Sequence, residues 1–116
     1  MQLLTSTADF EELRALPAVL IYKHSTRCPI SVMAYQEMGE LHDARPEVPV
    51  RVIDVHESRA VARYVAERTG IVHHSPQVIL LVDGEPVWAV SHFEVRARAL
   101  AERLTALHCG LNSHGL

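Results

Sequence analysis

Only two cysteines, Cys28 and Cys109, occur in the 116 residues. No disulfide framework can hold such a chain, and an intracellular setting would keep both thiols reduced at rest. Met1 to Phe10 lacks a basic segment followed by an apolar core, and no uncharged apolar run approaches membrane-spanning length. A soluble cytoplasmic protein with no membrane partner is the expectation. No Cys-x-x-Cys or His-x-x-x-His spacing occurs among the two cysteines and eight histidines, so His24, His73, His74 and His92 are not read as a dedicated metal site. No stretch gathers one sign of charge. The ten arginines are scattered among fourteen acids, net charge is −3, and nucleic acid is excluded as a partner. Low-complexity segments, repeats and linkers are also missing, and this length suits one domain over residues 1–116.

What is present is an alternation of periods. Phe10, Leu13 and Leu16 repeat at helical spacing after Asp9, which can cap with Glu12, and Pro17 ends the run. Ala18 to Lys23 reads as a buried strand, and Ile30, Met33, Ala34, Met38 and Leu41 form one face of a helix running from Pro29 to about Ala44. Val50 to Val55 is a second β-branched strand. A helix follows from Ser58 to Gly70. Gln77 to Val82 and Val87 to Val90 are strands joined through Asp83-Gly84, a hairpin signal. Phe93, Ala97, Leu100, Leu104 and Leu107 predict a last helix ending near Cys109-Gly110. The order α-β-α-β-α-β-β-α predicts an α/β fold of thioredoxin-like type, a four-stranded mixed sheet in which a parallel βαβ half meets an antiparallel hairpin between helices.

Cys28 follows the first strand and precedes Pro29, which suits the first position of a helix because it needs no amide partner there. A sulfur at that N-cap faces unpaired amides and the positive end of the helix dipole, and both favour thiolate over thiol. Lys23, His24 and Arg27 are near enough in sequence to add positive potential. Thr26 and Ser31 carry hydroxyls able to donate to the sulfur. The bland alternative is a small residue tolerated at a helix start, since free cysteine also packs as a modest hydrophobe. Three residues on stands Ser31, where a second cysteine would attack a mixed disulfide from within the same turn. A disulfide on Cys28 must therefore await an outside thiol. Cys109 is expected to be a bystander: the last helix runs away from the site for about sixteen residues, about 24 Å, beyond disulfide reach.

The segment Lys23-His24-Ser25-Thr26-Arg27-Cys28-Pro29-Ile30-Ser31 resembles the active-site segment of the YtxJ-type monothiol bacilliredoxins. The likeness extends through Tyr35, Ser75-Pro76, Asp83-Gly84 and the Trp88 to Phe93 stretch. It implies a thioredoxin fold and an enzyme that removes bacillithiol from protein mixed disulfides, with Cys28 taking the thiol adduct. Bacillithiol is then a co-substrate and bacillithiolated proteins are the partners. No tightly bound cofactor is implied, and the chain is expected to act as a monomer or weak dimer.

X-Pro bonds are mostly trans, so Ser75-Pro76 alone reads as a trans turn, whereas the resemblance implies a cis-proline loop opposite the cysteine that offers its backbone to substrate. Ser91 and His92 fall where the last helix should begin, with amides able to hold a ligand carboxylate. Equally, Ser91 merely caps that helix and His92 is exposed. Two other functions compete. One is an iron-sulfur or metal carrier of the monothiol glutaredoxin type, although Pro29 stands where the Cys-Gly-Phe-Ser form has glycine. The other is a non-catalytic redox-sensing adaptor.

Overall fold

The run Ala18–His24 is a strand with both faces covered, and every residue from Val19 to Lys23 is buried. It is β2 of the computed structural model, which describes the backbone of residues 1–114 and the side chains of residues 1–107. Around it the chain forms β1 (Gln2–Leu3), α1 (Thr7–Leu13), α2 (Pro29–Ala44), β3 (Val50–Asp54), α3 (Arg59–Thr69), β4 (Gln77–Val82), β5 (Glu85–Ser91) and α4 (Ala97–His114). The strands lie in the order β1-β3-β2-β4-β5, with β1, β3 and β2 parallel and β4 and β5 antiparallel.

Because side chains alternate along a strand, β2 feeds two cores. Leu20 and Tyr22 pack with Met38, Leu41 and Leu100 of α2 and α4. Val19 and Ile21 face the other way, onto Phe10, Val61 and Val65 of α1 and α3. Removing a large apolar side chain such as Phe10 from either core would cost about 3–5 kcal/mol.

The expected elements form, with differences at several boundaries. The sheet has five strands, since Gln2–Leu3 adds a parallel edge to β3 and Leu4 N donates to Val52 O at 2.7 Å. Two residues are too few to show a period. Helix α1 starts earlier, capped by Ser6, whose Oγ accepts from Asp9 N, and it ends at Leu13, so Leu16 lies in the turn that follows and not on the helix. The last helix starts later. A 3₁₀ turn, His92–Glu94, intervenes before Ala97, and Phe93 is exposed instead of lying on the buried face. Helix α4 also continues beyond Gly110, to His114. The Cys109 side chain lies outside the described residues. At the hairpin, Asp83 and Gly84 have φ of 51° and 82°, the left-handed pair a tight turn requires. A Cβ on Gly84 would stand 2.9 Å from the Arg14 carbonyl, so only glycine fits.

Candidate functional site

Strand register decides which loops meet. Lys23 pairs with Ile53 and Gln77, His24 pairs with Asp54, and Gln77 pairs with Ser91. The segments 25–28, 55–58, 73–76 and 91–94 therefore all leave the sheet at one end, the rim that carries Cys28.

The chain turns tightly between β2 and α2. Ser25 is buried; its carbonyl accepts from Cys28 N at 3.4 Å, and its Oγ accepts from Arg27 N and lies 2.8 Å from His56 Nε2. Cys28 is the N-cap of α2, with extended backbone at φ −113° and ψ 120°, and Pro29 occupies the first turn. The Cys28 carbonyl starts the helix by accepting from Ser31 N and Val32 N at 3.0 and 3.3 Å. The free thiol is half-buried and makes no capping hydrogen bond.

Ser31 and Thr26 do not serve the sulfur as hydrogen-bond donors. Ser31 is fully buried and its Oγ accepts from Ser25 N at 3.2 Å, which ties the loop to the first turn of α2. Thr26 is exposed, as is Pro29. His24 supplies no cation either: burial pushes its imidazole below the ordinary range, with Asp54 opposing. Lys23 points to the face opposite α2, where its Nζ lies 3.1 Å from His73 Nδ1. Burial lowers its ammonium to about 8.

Sequence reading overlooked Tyr22. Its hydroxyl donates to the Ser31 carbonyl at 3.1 Å and lies 2.9 Å from His24 Nδ1. Burial, then the neighbouring Tyr35 and Cys28, hold its pKa above the ordinary phenol value. A Tyr-x-His pair on a strand faces one way, so the spacing carried a signal.

Ser75-Pro76 is cis, with Pro76 buried and Ser75 half-buried. Its neighbour across the rim is the backbone of His92, whose N donates to Pro76 O at 2.9 Å. The His92 ring stands 5.6 Å from that of His74. Ser75, Pro76, Ser91 and His92 are thus brought together. The role imagined for Ser91 and His92 at the start of the last helix changes, because that helix begins at Ala97 and the Ala97 amide donates to Glu37 Oε1 at 2.9 Å. Ser91 precedes the 3₁₀ turn and makes no side-chain cap bond. Among the described residues no group of three or more His, Cys, Asp or Glu side chains could hold a metal ion, and no helix is long and apolar enough to cross a membrane.

Residues 2–100 match the family model for monothiol bacilliredoxin BrxC. A solved structure described provisionally as an oxidoreductase with a thioredoxin fold is 31% identical, covers 87% of this chain and 90% of its own, and superposes with a TM-score of 0.82. The thioredoxin of Fasciola hepatica shares the fold at 21% identity, with 91% and 98% of the two chains covered and a TM-score of 0.75. Mitochondrial thioredoxin 3 of Saccharomyces cerevisiae does so at 22%, with 91% and 94% covered and a TM-score of 0.75. The chain has a thioredoxin fold with a thiol-redox role, and it belongs to the monothiol bacilliredoxin family.

Proposed function

We propose that the protein is a monothiol thiol-disulfide oxidoreductase that removes bacillithiol from protein mixed disulfides, acting in the cytoplasm with Cys28 as nucleophile. The observation that carries this reading is a half-buried free thiol at the N-cap of α2 with a serine, not a cysteine, one turn on. The Cys28 thiolate attacks the bacillithiol sulfur of the mixed disulfide, a new S–S bond forms on Cys28, and the client leaves as a thiolate that takes a proton from water. A second, external thiolate then attacks the adduct, leaves with bacillithiol as a disulfide, and restores the Cys28 thiolate. One disulfide is consumed and one produced, so no other oxidant or reductant enters.

The other residues act around that sulfur. Ser31 and Tyr22 fix the first turn of α2 on which Cys28 sits. Thr26 and Pro29 border the thiol from exposed positions, and His24 holds Tyr22 from two residues along the same strand face. Lys23 contributes the nearest buried positive charge on the strand. The Ser75-Pro76 backbone, with Ser91 and His92 behind it, lines the path of an extended client segment. Incubation with a bacillithiolated protein, followed by intact mass measurement, tests the proposal. A bacillithiol adduct on Cys28 and release of the client thiol are expected; no adduct, or equal release by Cys28→Ala, rejects it.

A further inference from the structure

On the face of the sheet away from α2, a groove of about 480 Å³ runs between α3 and the loop that leads to Ser75-Pro76. Its walls include Val55, Arg59, Arg63, Glu67, Ile71 and His73, and two of these, Val55 and His73, belong to segments that leave the sheet at the same end as Cys28. Arg59 and Arg63 are four apart on α3 and so share a face, where like charges repel. Neither has a hydrogen-bond or ion-pair partner among the described residues.

Behind His73 stands Lys23, the one lysine of the sequence, and it is fully buried. No carboxylate lies within ion-pair distance of it among the described residues. A buried ammonium facing only an imidazole is poorly compensated. The placement of His73 is itself built. The buried Gln77 donates from Nε2 to Val72 O at 2.9 Å and accepts from His74 N at 3.4 Å, clasping the backbone on both sides of the histidine. Two exposed arginines thus flank a concave, partly apolar space that has the buried Lys23 behind His73 and Glu67 as its one acidic wall residue.

We propose that this groove is a binding site for a small carboxylate anion, held by Arg59 and Arg63 and backed by the Lys23–His73 pair. The guanidinium forks match carboxylate geometry, and the ammonium adds a field that solvent does not screen. The anion has two possible sources, a free metabolite or the carboxylate arm of the thiol that reacts at Cys28. Only the second rests on the function proposed above.

The test is a titration of the isotope-labelled protein with malonate at constant ionic strength, followed through backbone amide shifts. Saturable movement at residues 59–63 and 70–73 is expected, with affinity about tenfold weaker in the Arg59→Ala/Arg63→Ala protein. Arg98→Ala, which alters an exposed pair on α4, should bind as the wild type does. No movement, movement reproduced by sodium chloride alone, or equal affinity in the double variant overturns the proposal. To identify the source, exchange at Cys28 is compared for two small disulfides, one carrying carboxylates and the other the corresponding amides. A preference for the carboxylate form of about tenfold that vanishes in the double variant assigns the groove to the thiol's own arm. Malonate binding with the same preference in both proteins assigns it to a free anion. Cys28→Ser separates the two readings, because it must abolish exchange yet keep malonate binding.

Discussion

The Tyr22 hydroxyl lies 2.9 Å from His24 Nδ1 and spends its proton on the carbonyl of Ser31, so a strand and the first turn of α2 are locked by one buried oxygen. With that proton given to the carbonyl, the contact with His24 requires a hydrogen on Nδ1, which leaves Nε2 as an acceptor. His24 is in turn packed against Tyr35, ring centroids 5.0 Å apart. The turn that presents Cys28 is therefore held from beneath by three side chains, and none of them bonds the sulfur.

Tyr22→Phe keeps the ring and deletes that oxygen. The Ser31 carbonyl loses a buried donor, so stability should fall by about 1–2 kcal/mol in urea denaturation with an unchanged slope. The reaction of Cys28 with a mixed disulfide should slow as its turn loosens. Unchanged stability together with an unchanged rate would refute the lock.

Ser31→Cys should convert one-thiol into two-thiol chemistry. Residues three apart at a helix start place their Cβ atoms about 5–6 Å apart, a small adjustment from disulfide geometry. After mixing with a small disulfide, the variant should lose two hydrogens and carry no adduct, whereas the wild type retains the adduct. A persistent adduct on the variant would show that the buried position 31 cannot reach Cys28.

Glu37 and Ala97 are sixty residues apart, yet the carboxylate caps α4 through the Ala97 amide. Glu37→Ala should lower stability by about 1 kcal/mol, and Glu37→Gln by less, since it keeps an acceptor and loses only the charge at the helix dipole. The melting temperatures of the two variants would then rank wild type, Gln, Ala; equal values would remove the cap from the account.

That cap marks where sequence reading stopped. Period and punctuation announce β2, α2 and β4 because their signals are local: a buried apolar run, Pro29 at a helix start, Asp83-Gly84 at a turn. The thiol could be found for the same reason, since strand, cysteine and proline are consecutive. Its surroundings are assembled at a distance. Lys23 meets His73 across fifty residues and Ser25 meets His56 across thirty-one, through strand register that no single segment encodes. The nearby hydroxyls misled for a related reason, because the buried Ser25 amide needs an acceptor and takes the Ser31 oxygen first. The strand Gln2–Leu3 was invisible because two residues have no period.

Acid should destabilise the protein before its carboxylates titrate. Burial depresses His24, and partial burial with the neighbouring Lys23 charge depresses His73, so as pH falls through 6.5 the unfolded chain takes up protons that the native state resists. Stability should decline steadily from that point downward, and a His24→Gln/His73→Gln protein should show a flatter curve. Equal slopes for both proteins between pH 6.5 and 5 would contradict the assignment.

Lys23 should act on the alkaline side, and its sign follows from the same linkage. Its ammonium titrates at about 8 in the native protein and near 10.5 when unfolded. Between those values the unfolded chain binds the extra proton, so stability rises with pH; below 8 both states are charged and the whole cost of burying the ammonium is carried. Lys23→Met fills similar space without the charge. The variant should be more stable than wild type at pH 7 by on the order of 2 kcal/mol, and its advantage should shrink as pH climbs from 8 to 10.5. Removing the charge leaves His73 exposed to water, which can replace the lost donor, so the gain should survive. The anion site proposed beside His73 draws on that uncompensated charge. Paired denaturation curves across this range decide it: a Met variant no more stable than wild type at pH 7, with a parallel pH profile, would mean that the buried ammonium is already compensated and has nothing to offer a ligand.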